Sequence, residues 1–442
     1  MSSWLDDILR PLLGRVTESL LERRNLVWFT LASLLSGAGA ALFGGDLWNG
    51  FLTKTGFSMT EIGWLAAFAG GAGSFGLVAF MGLADRLRRR VLTYVLCVLV
   101  ASAAPVLVVG LALIPRAGLS LDHLLALLAV VSVGQALVMS IPVMLDYPII
   151  ARSISQGVRG RLFGITTVAY GILGIGIGWL SANVLQNVAY PWGYAWCFLA
   201  AAGLMALRAA AYSRLHELPE LAVDGASRSA FPFAAIVDVL KLKEFQWLAG
   251  PHVARGLAVS AAGFALPVGL KRLGLPEEFP GYAASATTAA TVLGGIAVGL
   301  IADRLGPSWT TFLGDVLYAL GMATVVLFPS PIAFLALYLL MHFGRNIEDN
   351  AVPLGAINLV PAEHLGAFSA ARLMILTGST ALSAPMFGYL FDHLSPLLVF
   401  GLAALLKVLT GVWFWCVFRL KRPAPEAGPP LPPPPLAAAE PD

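Results

Sequence analysis

Two short stretches in the second half of the chain place ionisable residues inside long apolar runs. The first, "GPHVARGLAV", contains His252 and Arg255. The second, "LLMHFGRNIEDNAV", contains the polar residues His342, Arg345, Asn346, Glu348 and Asp349. Because a membrane otherwise excludes such groups, ionisable residues within apolar spans mark substrate pathways and proton relays. These seven residues are the first candidates for chemistry in this chain.

The cationic and acidic candidates suit different tasks. Arg255 is permanently charged and its guanidinium matches a carboxylate or phosphate with two parallel hydrogen bonds, which predicts an anchor for an anionic group. Glu348 or Asp349 is predicted to carry a proton, because burial favours the neutral acid whereas a nearby arginine favours the carboxylate. A site in which these effects nearly balance can load and release a proton.

Helical spacing supports one polar face on the second stretch. His342, Arg345, Asn346 and Asp349 follow the i, i+3, i+4, i+7 pattern. We therefore expect substrate binding by Arg255, Arg345, His252, Asn346 and, in an earlier apolar block, Gln135, and proton coupling by Glu348, Asp349 and His342. Two alternatives stay open: arginine–acid pairs that only fix helix packing, and histidines that are ordinary hydrogen-bonded core residues.

The composition indicates that these residues belong to a membrane protein. The chain has 442 residues, of which 58% are hydrophobic and 12% charged, with a net charge of +3. Soluble domains have about 25% charged residues, so this is a membrane protein. Cys97, Cys197 and Cys416 have no metal-ligand spacing and are expected to be free thiols. No cofactor, P-loop, nucleophile elbow or basic nucleic-acid surface is predicted, which argues against an enzyme.

Twelve apolar blocks have the length that crosses a bilayer as a helix. They lie near residues 26–50, 60–83, 91–114, 123–146, 163–186, 193–212, 246–270, 280–301, 309–328, 332–357, 367–390 and 396–419. The predicted organisation is an amphipathic helix on the cytoplasmic face (1–24), a six-helix bundle (25–212), a cytoplasmic linker with a surface helix around 233–242 (213–244), a second six-helix bundle (245–420) and a disordered Pro-rich tail (421–442). The fold class is therefore all-α and polytopic.

The two halves repeat with a shift of 218 positions. This shift pairs Lys54 with Arg272, the glycines 56 and 63 with 274 and 281, and residues 84–87 with 302–305, which read "ADRL" in both copies. Two related six-helix halves joined by a linker are the architecture of an alternating-access carrier. The same shift puts uncharged residues opposite His252 and Arg255, so the scaffold itself does not require charge there.

Basic residues predict the orientation. They cluster in the segments 86–90, 152–161, 208–243 and 421–422, which alternate with loops that carry few of them. By the positive-inside rule both termini are cytoplasmic. Asp46, Trp48 and Asn49 then lie at the periplasmic end of the first span, where we expect a periplasmic gate, although an interfacial aromatic belt explains Trp48 equally well.

The repeated "ADRL" turn resembles the signature loop of the major facilitator superfamily. The second copy has Gly299, Asp303, Arg304 and Gly306, but Pro307 and Ser308 replace the usual basic residues; the first has Asp85, Arg86, Arg89 and Arg90, with Met81 and Arg88 in place of glycines. "RGRLFG" and "PAEHLGAFSA" are also similar to that family. The resemblance extends over about residues 25–420.

The resemblance implies a cytoplasmic gate and a central cavity. The gate would comprise Asp85, Arg86, Arg89, Asp303, Arg304 and Asp146, with Asp85 latching the two halves together. The first, fourth, seventh and tenth spans would line the cavity. Lys407 and Asp315 fall on peripheral spans, which favours a structural ion pair or snorkelling. The usual arginine of the fourth span has no counterpart.

The expected function is secondary active transport of a small polar solute, anionic or zwitterionic, coupled to protons. An exporter of amphipathic compounds is the alternative, and a membrane-embedded sensor or enzyme is the remote one. We expect a monomer in the inner (cytoplasmic) membrane, whose partners are the solute, protons and the lipid bilayer, with no nucleic acid.

Overall fold

A computed structural model describes residues 20–80, 87, 89–113, 120–216, 232–328, 330–357 and 365–420. Within these ranges the chain is almost entirely helical and forms no strand, which confirms the all-α prediction. In chain order the helices are α1 (Leu20–Phe43), α2 (Gly45–Thr55), α3 (Met59–Phe80), α4 (Arg90–Ala101), α5 (Ala103–Leu113), α6 (Leu121–Ser153), α7 (Gln156–Asn187), α8 (Trp192–Tyr212), α9 (Pro232–Lys241), α10 (Lys243–Ala262), α11 (Ala265–Arg272), α12 (Phe279–Thr324), α13 (Pro331–Ile357), α14 (Leu365–His393) and α15 (Pro396–Leu420).

The membrane-spanning helices agree with the twelve predicted blocks. Ten stretches in the described part of the chain are long and apolar enough to cross a bilayer. One of them, α12, is two helices that meet at Gly306, whose φ of 74° breaks the helical geometry. A further helix, α13, has 27 residues but carries four ionisable side chains, His342, Arg345, Glu348 and Asp349, that lower its hydropathy. Counting both halves of α12 together with α13 gives twelve spans.

Local signals in the sequence explain where the third helix begins. Ser58 and Glu61 form a capping box: the Ser58 amide donates to Glu61 Oε2 (2.6 Å) and the Glu61 amide donates to Ser58 Oγ (3.2 Å). Just before it, Gly56 ends α2 with a φ of 104°, and its amide donates back into the last turn. Gly274, its partner in the 218-residue repeat, also has a positive φ, of 68°. The repeat in sequence is therefore a repeat in backbone conformation.

The two halves meet mainly along two helix pairs. In the first half α1 packs on α7 and α8, and α6 packs on α3 and α4; in the second, α12 packs on α13 and α15, and α10 on α14 and α15. Between the halves, α3 packs on α14 and α7 packs on α12. A Cβ at Gly63 would lie 2.5 Å from the carbonyl oxygen of Ala384, and one at Gly281 would lie 2.3 Å from the amide nitrogen of Ala182. The repeat-related glycines thus allow equivalent close contacts between the halves, as expected where lipid gives helices no hydrophobic reason to associate.

The buried apolar core differs between the two ends of the molecule. We call the end at which α8 stops and α10 starts the linker end, and the end bearing the turns after Thr55 and Arg272 the distal end. One large cluster, including Phe51 and Phe264, joins both halves toward the distal end. Toward the linker end there are two separate clusters, one around Tyr94 in the first half and one around Phe245 in the second. The halves therefore share one core distally, whereas near the linker each half has its own core, with Val78 of α3 packing on the second one.

Several predicted features lie outside the described residues. These are the amphipathic segment up to residue 19, Asp85 and Arg86, residues 217–231 of the linker and the tail from residue 421. The surface helix predicted around 233–242 is α9, which packs on α14 and confirms that prediction.

Candidate functional site

A cavity of about 600 Å³ lies between the two halves. Its charged lining residues are Arg255, Arg345, Asp349 and Arg372. Apolar residues of α3, α10 and α14, among them Ile62, Val259 and Leu376, form much of the remaining wall. An apolar cavity with a few convergent polar groups is the usual form of a small-molecule site.

Arg255 is held by two acids of α13. Its Nε lies 2.6 Å from Glu348 Oε1, and its Nη2 donates to Asp349 Oδ1. The Arg255 and Glu348 side chains have no exposed surface, whereas the Asp349 side chain is 40% exposed. The predicted meeting of the "HVAR" and "RNIED" stretches is therefore present, with Asp349 on the cavity side and Glu348 behind it.

The ion-pair network continues away from the cavity to α12 and α15. Lys407 Nζ lies 2.5 Å from Asp315 Oδ1 and also donates to Glu348 Oε2, and all three side chains are fully buried. The ammonium group is 4.8 Å from the centre of the Tyr318 ring. Gly411 makes room on α15, since a Cβ there would lie 2.8 Å from Asp315 Cβ. This confirms the structural ion pair and excludes snorkelling for Lys407.

Arg345 and Arg372 complete the charged wall. Arg345 Nε lies 3.6 Å from Asp349 Oδ2 one turn along α13, and its side chain is 40% exposed. Arg372 is half-buried in the second turn of α14. Sequence reasoning missed Arg372, although the signal that identified Arg255, a permanent charge inside an apolar block, was present there too.

The predicted single polar face on α13 is wrong in part. Arg345 and Asp349 face the cavity, but Asn346 packs against Gly294 of α12. A Cβ added at Gly294 would lie 2.7 Å from the Cβ of Asn346. His342 packs its ring 4.5 Å from that of Tyr338. On the helix surface, residues 342 and 346 form one i, i+4 row and residues 345 and 349 form the adjacent row. Only the second row faces the cavity.

His252 and Gln135 also lie away from the cavity lining that the structure describes. The His252 ring is fully buried 5.2 Å from Phe414, and neither ring nitrogen has a hydrogen-bond partner among the described residues. Gln135 is half-buried on α6. Among the described residues α6, the fourth span, contributes nothing to the cavity, contrary to expectation. The reason is that Gly76 lets α3 pack closely on Ser140 of α6, so that α3 and α14 occupy the wall instead.

The distal end is closed by bonds between the halves. Asp46 accepts hydrogen bonds from Thr287 Oγ1 (2.9 Å) and from Tyr338, and Asn49 donates to the carbonyl oxygen of Gly263 (3.3 Å). Trp48 instead packs on Phe43 and Phe198 of its own half. Two of the three predicted periplasmic-gate residues thus bridge the halves.

Sequence reasoning missed a further distal contact. Asp392, at the end of α14, accepts hydrogen bonds from the Met59 and Thr60 amides (3.1 and 2.9 Å) and from Thr60 Oγ1 (2.7 Å). An acid at the N-terminus of a helix is stabilised by the unpaired amides and by the helix dipole. Lys54 adds an ion pair with Glu277 at 2.5 Å. An acid that ends an apolar block was the available signal for Asp392.

The described cytoplasmic-gate candidates form no bridge between the halves. Asp303 and Arg304 are exposed beside the kink in α12. Asp146 accepts a hydrogen bond from Tyr212 (2.8 Å), a residue of the same half. Arg89 precedes α4 and borders a surface pocket near the end of α8. None of these described candidates joins the halves at the linker end.

Comparison with known proteins agrees with this architecture. Residues 252–440 match the family model of the Major Facilitator Superfamily. This match covers a little less than half of the chain and agrees with the resemblance seen in the repeated "ADRL" turn. The match and the ten apolar helices in the described part of the chain support a multi-pass membrane transport protein rather than an enzyme. No curated protein sequence matches it.

Solved structures of transporters share the fold of this chain. A one-residue variant of the nucleoside transporter NupG has a TM-score of 0.70 at 12% identity, covering 89% of this chain and 99% of its own. A D-xylose-proton symporter has a TM-score of 0.69 at 14% identity, covering 89% and 97%. A bacterial homologue of the human lysosomal transporter Spinster, inward-facing and unoccupied, has a TM-score of 0.64 at 16% identity, covering 92% and 100%. At these identities the likeness establishes the fold alone.

Proposed function

We propose that this protein is a secondary active transporter that moves a small anionic or zwitterionic solute by alternating access, coupled to protons. The observation that carries the proposal is the cavity between the halves, whose charged lining consists of three arginines and one aspartate. A neutral sugar needs no such cationic wall. An amphipathic cation would be repelled by it.

The two ends of the molecule support alternating access. Hydrogen bonds and a common apolar core join the halves distally, whereas the core is divided toward the linker end. The distribution of basic residues makes the linker end cytoplasmic. The structure then corresponds to an inward-facing state, and release of Asp46, Asn49 and Asp392 from their partners would open the periplasmic side.

Asp349 is the proposed proton carrier. It is the one acid among the described cavity-lining residues, and its two oxygens face Arg255 and Arg345 on different helices. Protonation would weaken both ion pairs and so loosen α10 from α13. Glu348 lies behind it, between Arg255 and Lys407, and is proposed to pass the change in charge to the rest of the second half.

The orientation, location and assembly follow the sequence expectations. We place the chain in the cytoplasmic membrane as a monomer, with both termini inside. The domain organisation of two six-helix bundles, a linker and two flanking segments is likewise part of the proposal.

Uptake into proteoliposomes tests the function. Organic acids, phosphate, amino acids, nucleosides and sugars are offered with and without an imposed pH gradient. We expect uptake of an anionic or zwitterionic solute that the gradient accelerates. Arg345→Gln should reduce this uptake at least tenfold, whereas Arg214→Gln, which removes an exposed guanidinium outside the cavity, should not.

Proton coupling has its own variant. Asp349→Asn should abolish acceleration by the pH gradient and retain exchange of solute across the membrane, while Asp122→Asn, a change at an exposed acid, should behave as the parent protein. Uptake restricted to sugars or nucleosides, and unaffected by Arg345→Gln, would show that the proposed solute class is wrong. Uptake that does not depend on the pH gradient would contradict proton coupling but not the proposed solute class.

A further inference from the structure

The ionisable residues around the cavity balance one another almost completely. Arg255, Arg345 and Lys407 provide three positive charges, and each lies within ion-pair distance of at least one acid. The acids of the same network are Asp315, Glu348 and Asp349. The network therefore has no net charge, and neither Arg255 nor Lys407 has a charge left over for a solute.

Arg372 is the exception. It lines the cavity from α14 and is half-buried, and among the residues that the structure describes it has no ion pair and no hydrogen bond. The neighbouring acids Glu348 and Asp349 are already paired with Arg255, Arg345 and Lys407. An unpaired guanidinium away from bulk water is unfavourable, so this position is suited to a counter-charge that arrives with a ligand.

The neighbours of Arg372 limit what else the ligand can carry. The adjacent wall consists of Leu373, Leu376 and, across the cavity, Ile62. The nearest hydroxyls on α14 are occupied: Thr377 Oγ1 lies 2.6 Å from Ser74 Oγ, and Thr380 Oγ1 donates to the Gly256 carbonyl oxygen (3.1 Å). Among the described lining residues, the ligand therefore meets the guanidinium of Arg372, the unpartnered hydroxyl of Ser260 and a largely apolar surface.

We propose that Arg372, and not Arg255, binds the anionic group of the solute, and that the solute is a monoanionic organic acid with an apolar body. This deepens the proposed function and rests on it. A zwitterion fits less well, because Asp349, the one described acid on the cavity wall, already pairs with two arginines. A dianion would bring one negative charge more than Arg372 can balance.

Binding and uptake by purified full-length protein test this assignment. The probes are pentanoate and phenylacetate as monocarboxylates, succinate as a dianion, leucine as a zwitterion and xylose as a neutral solute. Binding is measured as ligand-induced thermal stabilisation in detergent, and uptake is measured in proteoliposomes. We expect monocarboxylates to bind and to be taken up, and the other three probes to be poor ligands.

The variants separate this inference from the proposed function. Arg372→Gln should weaken monocarboxylate binding at least tenfold, and Arg372→Lys should restore part of it. The unfolding temperature without ligand should stay at the parent value, because Arg372 has no ion pair or hydrogen bond with the described residues to lose. Arg214→Gln should bind as the parent protein does. Monocarboxylate binding that survives Arg372→Gln, or a preference for succinate or leucine, overturns the assignment and leaves transport of charged solutes standing. A preference for xylose overturns both.

Discussion

Removal of Lys407 should destabilise the protein more than removal of Lys407 and Asp315 together. Lys407 is fully buried, 2.5 Å from Asp315 and in contact with Glu348. Taking one partner from a buried ion pair leaves an uncompensated charge and costs about 3–5 kcal/mol. In Lys407→Met, Glu348 keeps Arg255 but Asp315 loses its one cationic partner among the described residues.

The double variant removes this imbalance. In Lys407→Met/Asp315→Asn, the remaining charges of Arg255, Arg345, Glu348 and Asp349 still balance. The asparagine retains the side-chain shape that Gly411 accommodates, and a buried polar group without a full set of partners costs about 1–3 kcal/mol. We therefore expect the double variant to recover roughly 2 kcal/mol of what the single variant loses, a coupling of the size seen between contacting residues.

Thermal unfolding in detergent measures this difference. A thiol-reactive dye reports unfolding through Cys197, which is buried with 3% exposure. Lys241→Met, which removes an exposed lysine paired with Asp238, serves as the matched control and should leave the unfolding temperature unchanged. If Lys407→Met unfolds at the parent temperature, or if adding Asp315→Asn lowers it further, the description of the triad as a charge-balanced unit is wrong.

Three further outcomes are expected. Asp392→Ala removes three hydrogen bonds across the distal end. In a background whose native cysteines are replaced by serine and which carries Asn49→Cys, it should raise labelling of that cysteine by a membrane-impermeant thiol reagent at least fivefold. Gly306→Ala should lower stability by about 1–2 kcal/mol because φ is 74° there, whereas Gly299→Ala, at a helical position with open space around it, should be neutral or stabilising in the same unfolding assay. Gly63→Val should leave expression intact and reduce uptake at least tenfold, since any Cβ there meets the opposing backbone at 2.5 Å; parent-level uptake would contradict close packing of the halves.

Much of the fold was predictable because it depends on local and periodic properties of the chain. Apolar blocks of membrane-spanning length predicted the helices, and the 218-residue shift predicted that positions 56 and 274 are equivalent. The break in α12 was predicted from the end of one apolar block at 301 and the start of the next at 309. Each of these features is set by residues that are neighbours in the sequence.

The site was predictable only in part. The "HVAR" and "RNIED" stretches were correctly expected to meet, because both lie at similar depths on helices of one half. The expectation that α6 lines the cavity was wrong, and Arg372 was missed. The spacing of polar residues on α13 predicted one polar face. It does not determine which of the two adjacent rows, 342 and 346 or 345 and 349, a neighbouring helix covers.

The sequence by itself determined the membrane class, the two-fold repeat and the set of charged groups that the apolar blocks contain. The tertiary structure decided how these charges pair and therefore which of the described cavity-lining cations has no ion pair. The physical reason is that each ion pair depends on the rotation of two helices about their axes. That rotation is fixed by close contacts such as those at Gly76, Gly294 and Gly411, whose partners are distant in sequence. Arg372 is available to a solute because Glu348 and Asp349 are turned toward Arg255, Lys407 and Arg345 instead.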